Sequence, residues 1–574
     1  MAGLEIPSFL IGTSGLIAVV SKSMQIARAV RDMRNVPDEL LDLYNKFDAE
    51  CATFCLWAEA VFGPELYSQN GDAFDADIPD QAGADSVVDI QRIVYNALAT
   101  VQGIFEDTRG IFVEMGLGIE PPRPIPGSYA SSTTKNQAAE KRHENKKSIS
   151  SALTTRSKFF FKIRTWKDAP AEKLDGLHKS LVYWNTKLNQ LIGPQRSIAI
   201  QTAFISRVLS NKSTQLQLVS VQRANNTANA HLSTAAQFKS CLILSDNGGG
   251  EIEPKARISF SRLQHCEAPG DANSPSRRVG SYSDPNDHGL TRVLVEWKTA
   301  QISLSPDDHK IFKDRLAKLS AILGLQTRPD GLRTLDCLGW TSTKTALGDS
   351  FGLIYKVPDF ADPMAAPLSL TQAYSADKAF PTLLERFQLA RLLSLSLMTY
   401  HAMGWLHKAF SSDNILIFRT QEGKVDYGKP YVSGFEYSRP TEEYSLPFDR
   451  PGKEAFNHAQ HPNVAKDPER RLQGYQYRRS YDVYSFGIIL LEIACWRPLH
   501  KIYTDAKAKL TTDTALSTLS GIVDQAVAHR MGVIYQQVIL SCFHWDGRAN
   551  KSDNEIEEFY FAAVQKLATC HCAA

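Results

Sequence analysis

Three stretches near the start of the chain place an apolar side chain every three or four positions, and no other feature constrains the fold as strongly. The first is Leu40, Tyr44, Phe47, Cys51, Phe54, Ala58 and Val61. The second is Val87, Ile90, Val94, Ala97, Val101 and Ile104. The third is Leu174, Leu177, Leu181, Trp184, Leu188 and Leu191. On a helix this spacing makes one apolar face that has to be buried. Such helices pack near-antiparallel in bundles, and each stripe is too short for a coiled coil. With the apolar segment Ile6–Val20 and a further helix around 198–218, the spacing predicts a bundle of four or five helices. Pro37-Asp38-Glu39 fits a first helical turn, where proline and acids are favoured. Gly63-Pro64 ends that helix.

The 574 residues leave room for a second domain, and 43 % hydrophobic with 22 % charged residues is ordinary globular chemistry. A net charge of +2 gives no bulk attraction to nucleic acid. The nine cysteines are scattered, which predicts reduced thiols and a cytoplasmic protein. The Cys570-His571-Cys572 tail has no second ligand pair and reads as a frayed terminus rather than a zinc site. Ile6–Val20 has no basic region before it and Lys22 closes it, so it is neither a secretory signal nor a full membrane span. It reads as a buried first helix, or as one that leaves the bundle and enters lipid through Phe9, Leu10, Leu16 and Ile17.

Residues 116–167 read as a basic linker. Prolines stiffen its start, and positions 131–167 hold ten Lys or Arg against two Glu, with Phe159, Phe160, Phe161 and Trp166 among them. Three readings stand open for that run: a solvated loop leading into a helix, a contact with anionic lipid, or a single-stranded nucleic acid groove. With the low net charge, no nucleic-acid partner is expected.

The glycine- and serine-punctuated start resembles the fungal HeLo domain of the HET-s/LopB type. So do the Leu40–Val61 helix ending in Trp57-Ala58-Glu59-Ala60-Val61 and the run Phe161-Lys162-Ile163-Arg164-Thr165-Trp166-Lys167-Asp168. The resemblance covers roughly residues 5–220. It implies a bundle whose first helix can be released toward membranes in fungal cell-death reactions.

Residues 223–290 are polar and broken by Gly, Asn and Pro. Gly248-Gly249-Gly250 lacks a P-loop lysine and Rossmann spacing, so it reads as a turn between strands Phe238–Leu244 and Ala256–Phe260. Beyond it come a strand Val293–Lys298, a helix Ile311–Leu323, a strand Phe351–Pro358, a long apolar helix Leu383–Gly404, a loop His407–Phe418, and a second apolar helix opened by Asp482.

This order resembles the protein kinase fold over roughly residues 250–570. Val295-Glu296-Trp297-Lys298 stands where kinases have V-A-I-K. His407-Lys408-Ala409-Phe410-Ser411-Ser412-Asp413-Asn414 stands where they have H-R-D-L-x-x-x-N, and Val432-Ser433-Gly434-Phe435-Glu436 where a strand leads into D-F-G. Asp482 matches the aspartate that anchors the catalytic loop. The resemblance implies ATP and magnesium as cofactors, with Lys298 a candidate phosphate ligand and Asn414 a candidate metal ligand. His407 is expected to be structural, bonding backbone near residue 435.

The chain departs from that pattern where the chemistry lies. Phosphoryl transfer needs a carboxylate to orient the attacking hydroxyl and another to hold magnesium; the matching positions are Ala409 and Gly434. Residues 276–297 hold only Gly280 and Gly289, so no glycine cradle is visible there. Glu296 replaces a small alanine that makes room for adenine. The only acid on the Ile311–Leu323 helix is Asp314, so Lys298 lacks its usual glutamate.

The expected fold is α+β and multidomain: a helical bundle over 1–222 followed by a bilobal protein-kinase-like domain over 223–574. The expected function is a non-catalytic signalling effector, cytoplasmic and moving to the plasma membrane. Its bundle would be membrane-active or self-associating, and a pseudokinase would regulate it on binding a protein partner or upstream receptor. Two alternatives are an atypical kinase that uses Asp413 and Glu436, and an adaptor that only binds proteins. The Gly404-Trp405-Leu406-His407-Lys408 and His461-Pro462 segments make the second half most similar to fungal HeLo-linked kinase-like proteins.

Overall fold

In the computed structural model the chain divides into two compact units, Met1–Ile200 and Gln201–Ala574. The structure describes residues 14–33, 36–62, 86–115, 169–190, most of 200–246, 255 and 257–268, 276–284, 289–299, 306–325, 329–345, 348–376, 380–408, 410–435, 439–440, 478–506, 514–545 and a few positions beyond 558. Phe9, Leu10, Gly248-Gly249-Gly250, Ala409, Glu436, His571, Cys572 and the basic-aromatic run lie outside the described residues.

The first unit contains the helices α1 (Ser14–Arg31), α2 (Asp38–Phe62), α3 (Ser86–Glu114) and α4 (Ala169–Gln190). Asp38 and Glu39 lie in the first turn of α2, where the helix dipole favours acids. Most of the described residues of the apolar stripes are buried in the core. Phe47 meets Phe112 edge-on with ring centroids 5.6 Å apart, and Phe54 meets Phe105 at 5.2 Å. Leu174, Leu181 and Leu188 close the core from α4. Trp57 donates its indole N–H to the Leu188 carbonyl at 2.9 Å.

The first helix runs further than the sequence suggests. Its apolar segment continues through Lys22 to Arg31, because Lys22 faces outward and pairs with Glu106 at 3.4 Å. Leu16 and Ile17 are buried. At the end of α1, Arg31 donates from Nε to Asp48 Oδ1 at 2.8 Å, and the Arg31 carbonyl accepts from Tyr44 Oη at 2.5 Å. Arg28 pairs with Glu59 at 3.3 Å. No helix among the described residues is long and apolar enough to cross a membrane.

The second unit opens with α5 (Gln215–Asn225) and α6 (Ala230–Asp246), which pack on each other. The expected bundle helix around 198–218 therefore falls largely in this unit. The expected strand Phe238–Leu244 is part of α6. Asn229 starts that helix by accepting the Leu232 N–H, and Leu232, Ala235 and Ala236 bury one face at helical spacing. Ala256–Phe260 forms no strand among the described residues; Arg257 makes a single bridge to Trp340, and a 3₁₀ turn starts at Phe260.

Next comes a five-stranded sheet of β1 (Leu263–Gln264), β2 (Arg277–Ser283), β3 (Leu290–Thr299), β4 (Asp336–Thr345) and β5 (Gly348–Lys356), ordered β1-β2-β3-β5-β4. The named neighbours all run antiparallel. The helix α7 (Pro306–Leu323) joins β3 to β4 and packs on β4. Strand alternation puts Val293, Val295 and Trp297 in one apolar cluster with Tyr282 and Ile354, and turns Glu296 and Lys298 to the opposite face.

The rest is mainly helical. Short strands β6 (Leu368–Ser369), β7 (Trp405–Leu406), β8 (Ile415–Ile417), β9 (Tyr431–Val432) and β10 (Arg439–Pro440) accompany α8 (Leu370–Ala376) and α9 (Leu383–Ala402). Then come α10 (Arg479–Cys495), α11 (Leu499–Asp505), α12 (Ala515–Ala526) and α13 (Ala528–His544). A capping box starts α9: Thr382 Oγ1 accepts the Glu385 N–H at 3.2 Å, and Glu385 Oε2 accepts the Thr382 N–H at 2.7 Å. The helix α10 is buried from Ser480 to Ala494 and packs on both α9 and α13. It starts three residues before Asp482, which sits in its first turn. The chain is α+β overall, a helical region followed by a sheet-containing one.

Candidate functional site

The loop from His407 to Asn414 is held from below by one carboxylate. Asp482 is fully buried. Its Oδ2 accepts the His407 N–H and its Oδ1 the Lys408 N–H, both at 2.9 Å. His401 Nε2 lies 3.2 Å from Oδ2, and burial pushes the His401 pKa down, so the ring favours its neutral form. Lys408 adopts a left-handed backbone with φ 63°, a conformation that two bonds to Asp482 help to hold.

His407 is wholly buried, and its Nε2 lies 3.0 Å from the Ser433 carbonyl. Its ring packs among Tyr400, Phe410 and Phe435. These contacts make it a structural pin between the loop and β9. The Ser433 N–H donates to the Asn414 carbonyl at 2.8 Å, closing the same junction.

The upper side of the site is a guanidinium. Arg277 opens β2, directly opposite Glu296 on β3. Its Nε donates to Glu296 Oε1 at 2.8 Å. Its Nη1 donates to the Asp413 carbonyl at 2.7 Å. Its Nη2 donates to Asn414 Oδ1 at 2.6 Å and Ser433 Oγ at 3.0 Å. Glu296 Oε2 in turn accepts the Gly434 N–H at 3.1 Å. Glu296 is 8 % exposed, so this is a buried ion pair whose polar atoms reach out to further partners. It ties the sheet to the 413–414 and 433–434 segments.

Gly434 has φ +82°, and a Cβ there would come within 2.4 Å of Asn414 Nδ2. No aspartate fits that position without moving Asn414. Lys298, two residues beyond Glu296 on the same strand face, is half-buried and opposite Phe351 of β5. Asp314 of α7 is exposed. Positions 276–297 are mostly β2 and β3.

The acidic and anchoring residues were legible in the sequence, whereas Arg277 and Ser433 were not. Glu296 stood out only as a misfit against alanine. Its charge, on a strand that otherwise buries valine, leucine and tryptophan, was the one signal that a cation had to lie opposite.

Residues 8–219 match the family HeLo, described as prion-inhibition and propagation. The match supports a HeLo domain there. Residues 360–567 match a domain of unknown function, DUF7580. No curated protein matches the chain. The DUF7580 match takes in His407, Asn414, Gly434 and Asp482, while Arg277, Glu296 and Lys298 lie ahead of it, so the guanidinium cluster joins residues inside and outside that domain. The HeLo family is associated with fungal prion-like and cell-death signalling, which supports that general kind of function.

Proposed function

We propose that this protein is a non-catalytic signalling effector in which the HeLo bundle is the output and the second unit, a pseudokinase, regulates it. The Arg277 cluster carries this reading. Phosphoryl transfer needs a nucleotide cleft and carboxylates for magnesium. Here Arg277 and Glu296 bond the sheet directly to the 413–414 and 433–434 segments, and Asn414 gives its amide oxygen to a guanidinium. A metal ion at Asn414 would face that positive charge. Gly434 has no carboxylate and no room for one. ATP and magnesium therefore do not fit these residues.

The kinase likeness itself rests on the strand order with a helix between the third and fourth strands, and on the buried Asp482 that holds two loop amides from the first turn of α10. The atypical-kinase alternative loses ground at Asp413, whose carbonyl is bonded to Arg277 and whose residue lines a separate cavity with Glu492.

The output is a population shift. A protein partner or upstream receptor on the second unit favours a state in which α1 leaves the bundle, exposing Leu16 and Ile17 to an anionic plasma-membrane surface or to another copy of the chain. The test is dye release from phosphatidylserine-containing liposomes by residues 1–200, whose core is built from its own helices, beside the full chain. Leakage by the fragment, suppression in the full chain, and loss with Leu16→Glu and Phe9→Glu in a fragment that keeps its helical circular dichroism support the reading. Absence of leakage from every version sinks the membrane output and leaves a protein-binding adaptor.

A further inference from the structure

The family boundary and the physical boundary of the chain do not coincide. The HeLo match runs to residue 219, yet the first compact unit ends at Ile200. Residues 201–219 therefore belong to the HeLo match and to the second unit. Among them Ala203, Phe204, Val208 and Leu209 are buried, and 203–205 and 207–209 are helical. One side chain joins this stretch to the DUF7580 region. Lys239 of α6 lies in neither family match and is 8 % exposed. Its Nζ donates to the Leu209 carbonyl at 2.6 Å and to the Ala402 carbonyl at 3.4 Å.

Ala402 is the last residue of α9. The last carbonyls of a helix have no partner within it, and a cation suits that negative pole. Lys239 shares the buried face of α6 with Leu232, Ala235 and Ala236, where an apolar side chain of similar length would fill the space with no charge to desolvate. What the ammonium adds is a tie between two carbonyls 193 positions apart, 209 and 402. The residue before it, Phe238, stacks on Trp405 with ring centroids 5.7 Å apart. Trp405 in turn packs on Phe435, which packs on His407. Two consecutive residues of α6 thus hold the α9–β7 corner, from which the loop anchored by Asp482 departs.

We propose that Lys239 is a latch coupling the end of the HeLo region to the His407–Asn414 loop. While its two bonds hold, a displacement of the α9–β7 corner is passed to the 203–209 stretch. When they break, the two segments move independently. The coupling stands on these contacts alone; that it regulates a membrane output rests on the reading above.

The test is hydrogen exchange on the full chain. Lys239→Met keeps a stem of similar length and removes the charge. Exchange should quicken about tenfold at 203–212 and at 399–406 together, while α12 and α13 keep their wild-type rates. A second variant, His407→Gln, loosens the loop from its other end. Alone, it should quicken exchange at 203–212; added to Lys239→Met, it should change nothing there, because the tie is already gone. Faster exchange in only one of the two segments, uniform loss of protection over the second unit, or the same response to His407→Gln in both backgrounds would overturn the proposal. Dye release from phosphatidylserine-containing liposomes by full-length Lys239→Met reads the regulatory side separately. Leakage where the wild type is silent supports the latch as a restraint on the output. Coupled exchange without leakage keeps the latch and counts against the membrane reading.

Discussion

Arg277 and Asn414 lie 137 residues apart in the chain, yet Nη2 of one donates to Oδ1 of the other at 2.6 Å. The same guanidinium pairs with Glu296, so removing it takes the Arg277 cation from a buried carboxylate. Arg277→Ala should lower the stability of the second unit by roughly 3–5 kcal/mol, whereas the double replacement Arg277→Met with Glu296→Leu should cost far less, because no buried charge is left alone. Denaturant unfolding read on the second transition checks this. Equal losses in the single and double variants would show that the pair contributes packing and not charge compensation.

Gly434 is where an aspartate would restore a metal ligand, and the backbone forbids it. Gly434→Asp meets both a left-handed φ of +82° and Asn414 at 2.4 Å. It should cost about 1–3 kcal/mol and gain no magnesium affinity by calorimetry. Adding Asn414→Ala should relieve the collision but leave the backbone strain, recovering part of the loss. Magnesium binding in Gly434→Asp would contradict the account of the site.

Burial pushes the Glu492 carboxyl up to about 7, with Asp413 adding to the rise and the Ser412 and Leu499 bonds opposing it. The folded state then holds a proton that the unfolded chain releases at its ordinary, lower pKa. Stability from this group is fully present below the unfolded pKa and is lost as pH rises toward 7, by up to about 3 kcal/mol. Neighbouring Tyr374 has its pKa pushed well up by burial and stays neutral throughout this window. The difference between wild type and Glu492→Gln, measured by unfolding from acid to neutral pH, isolates the effect. A flat difference across that range would show that Glu492 stays ionised.

Much of this architecture was legible because burial has a period. The stripes on α2, α3 and α4 repeat every three or four residues, and β3 alternates, so both could be placed from the sequence. Where periods compete the reading failed: Phe238–Leu244 is a short apolar run that suits a strand or a buried helix face, and the cap at Asn229 decides for the helix. The site divides in the same way. Asp482 and His407 stand in short segments, after α9 and in the first turn of α10, that resemble kinase motifs. Arg277 meets its partners through the fold of the sheet onto the loop, which no local pattern encodes. Lys22 closes the apolar run too early for a membrane span, and it faces water on a helix that continues to Arg31.

The end of α1 offers the last prediction. Arg31 is 11 % and Asp48 4 % exposed at the side chain, and their 2.8 Å contact joins α1 to α2. Arg31 also sits in the last turn of α1, where a cation suits the helix dipole. Asp48→Ala removes the buried carboxylate beside Arg31, at a cost of roughly 3 kcal/mol. If α1 is the releasable element, that loss appears locally. Hydrogen exchange should quicken across the α1 amides while α2, α3 and α4 keep their protection, and the fragment should release liposome dye at lower concentration. Uniformly faster exchange over all four helices would mean that α1 unfolds only with the whole bundle, and a mechanism based on its release would fail.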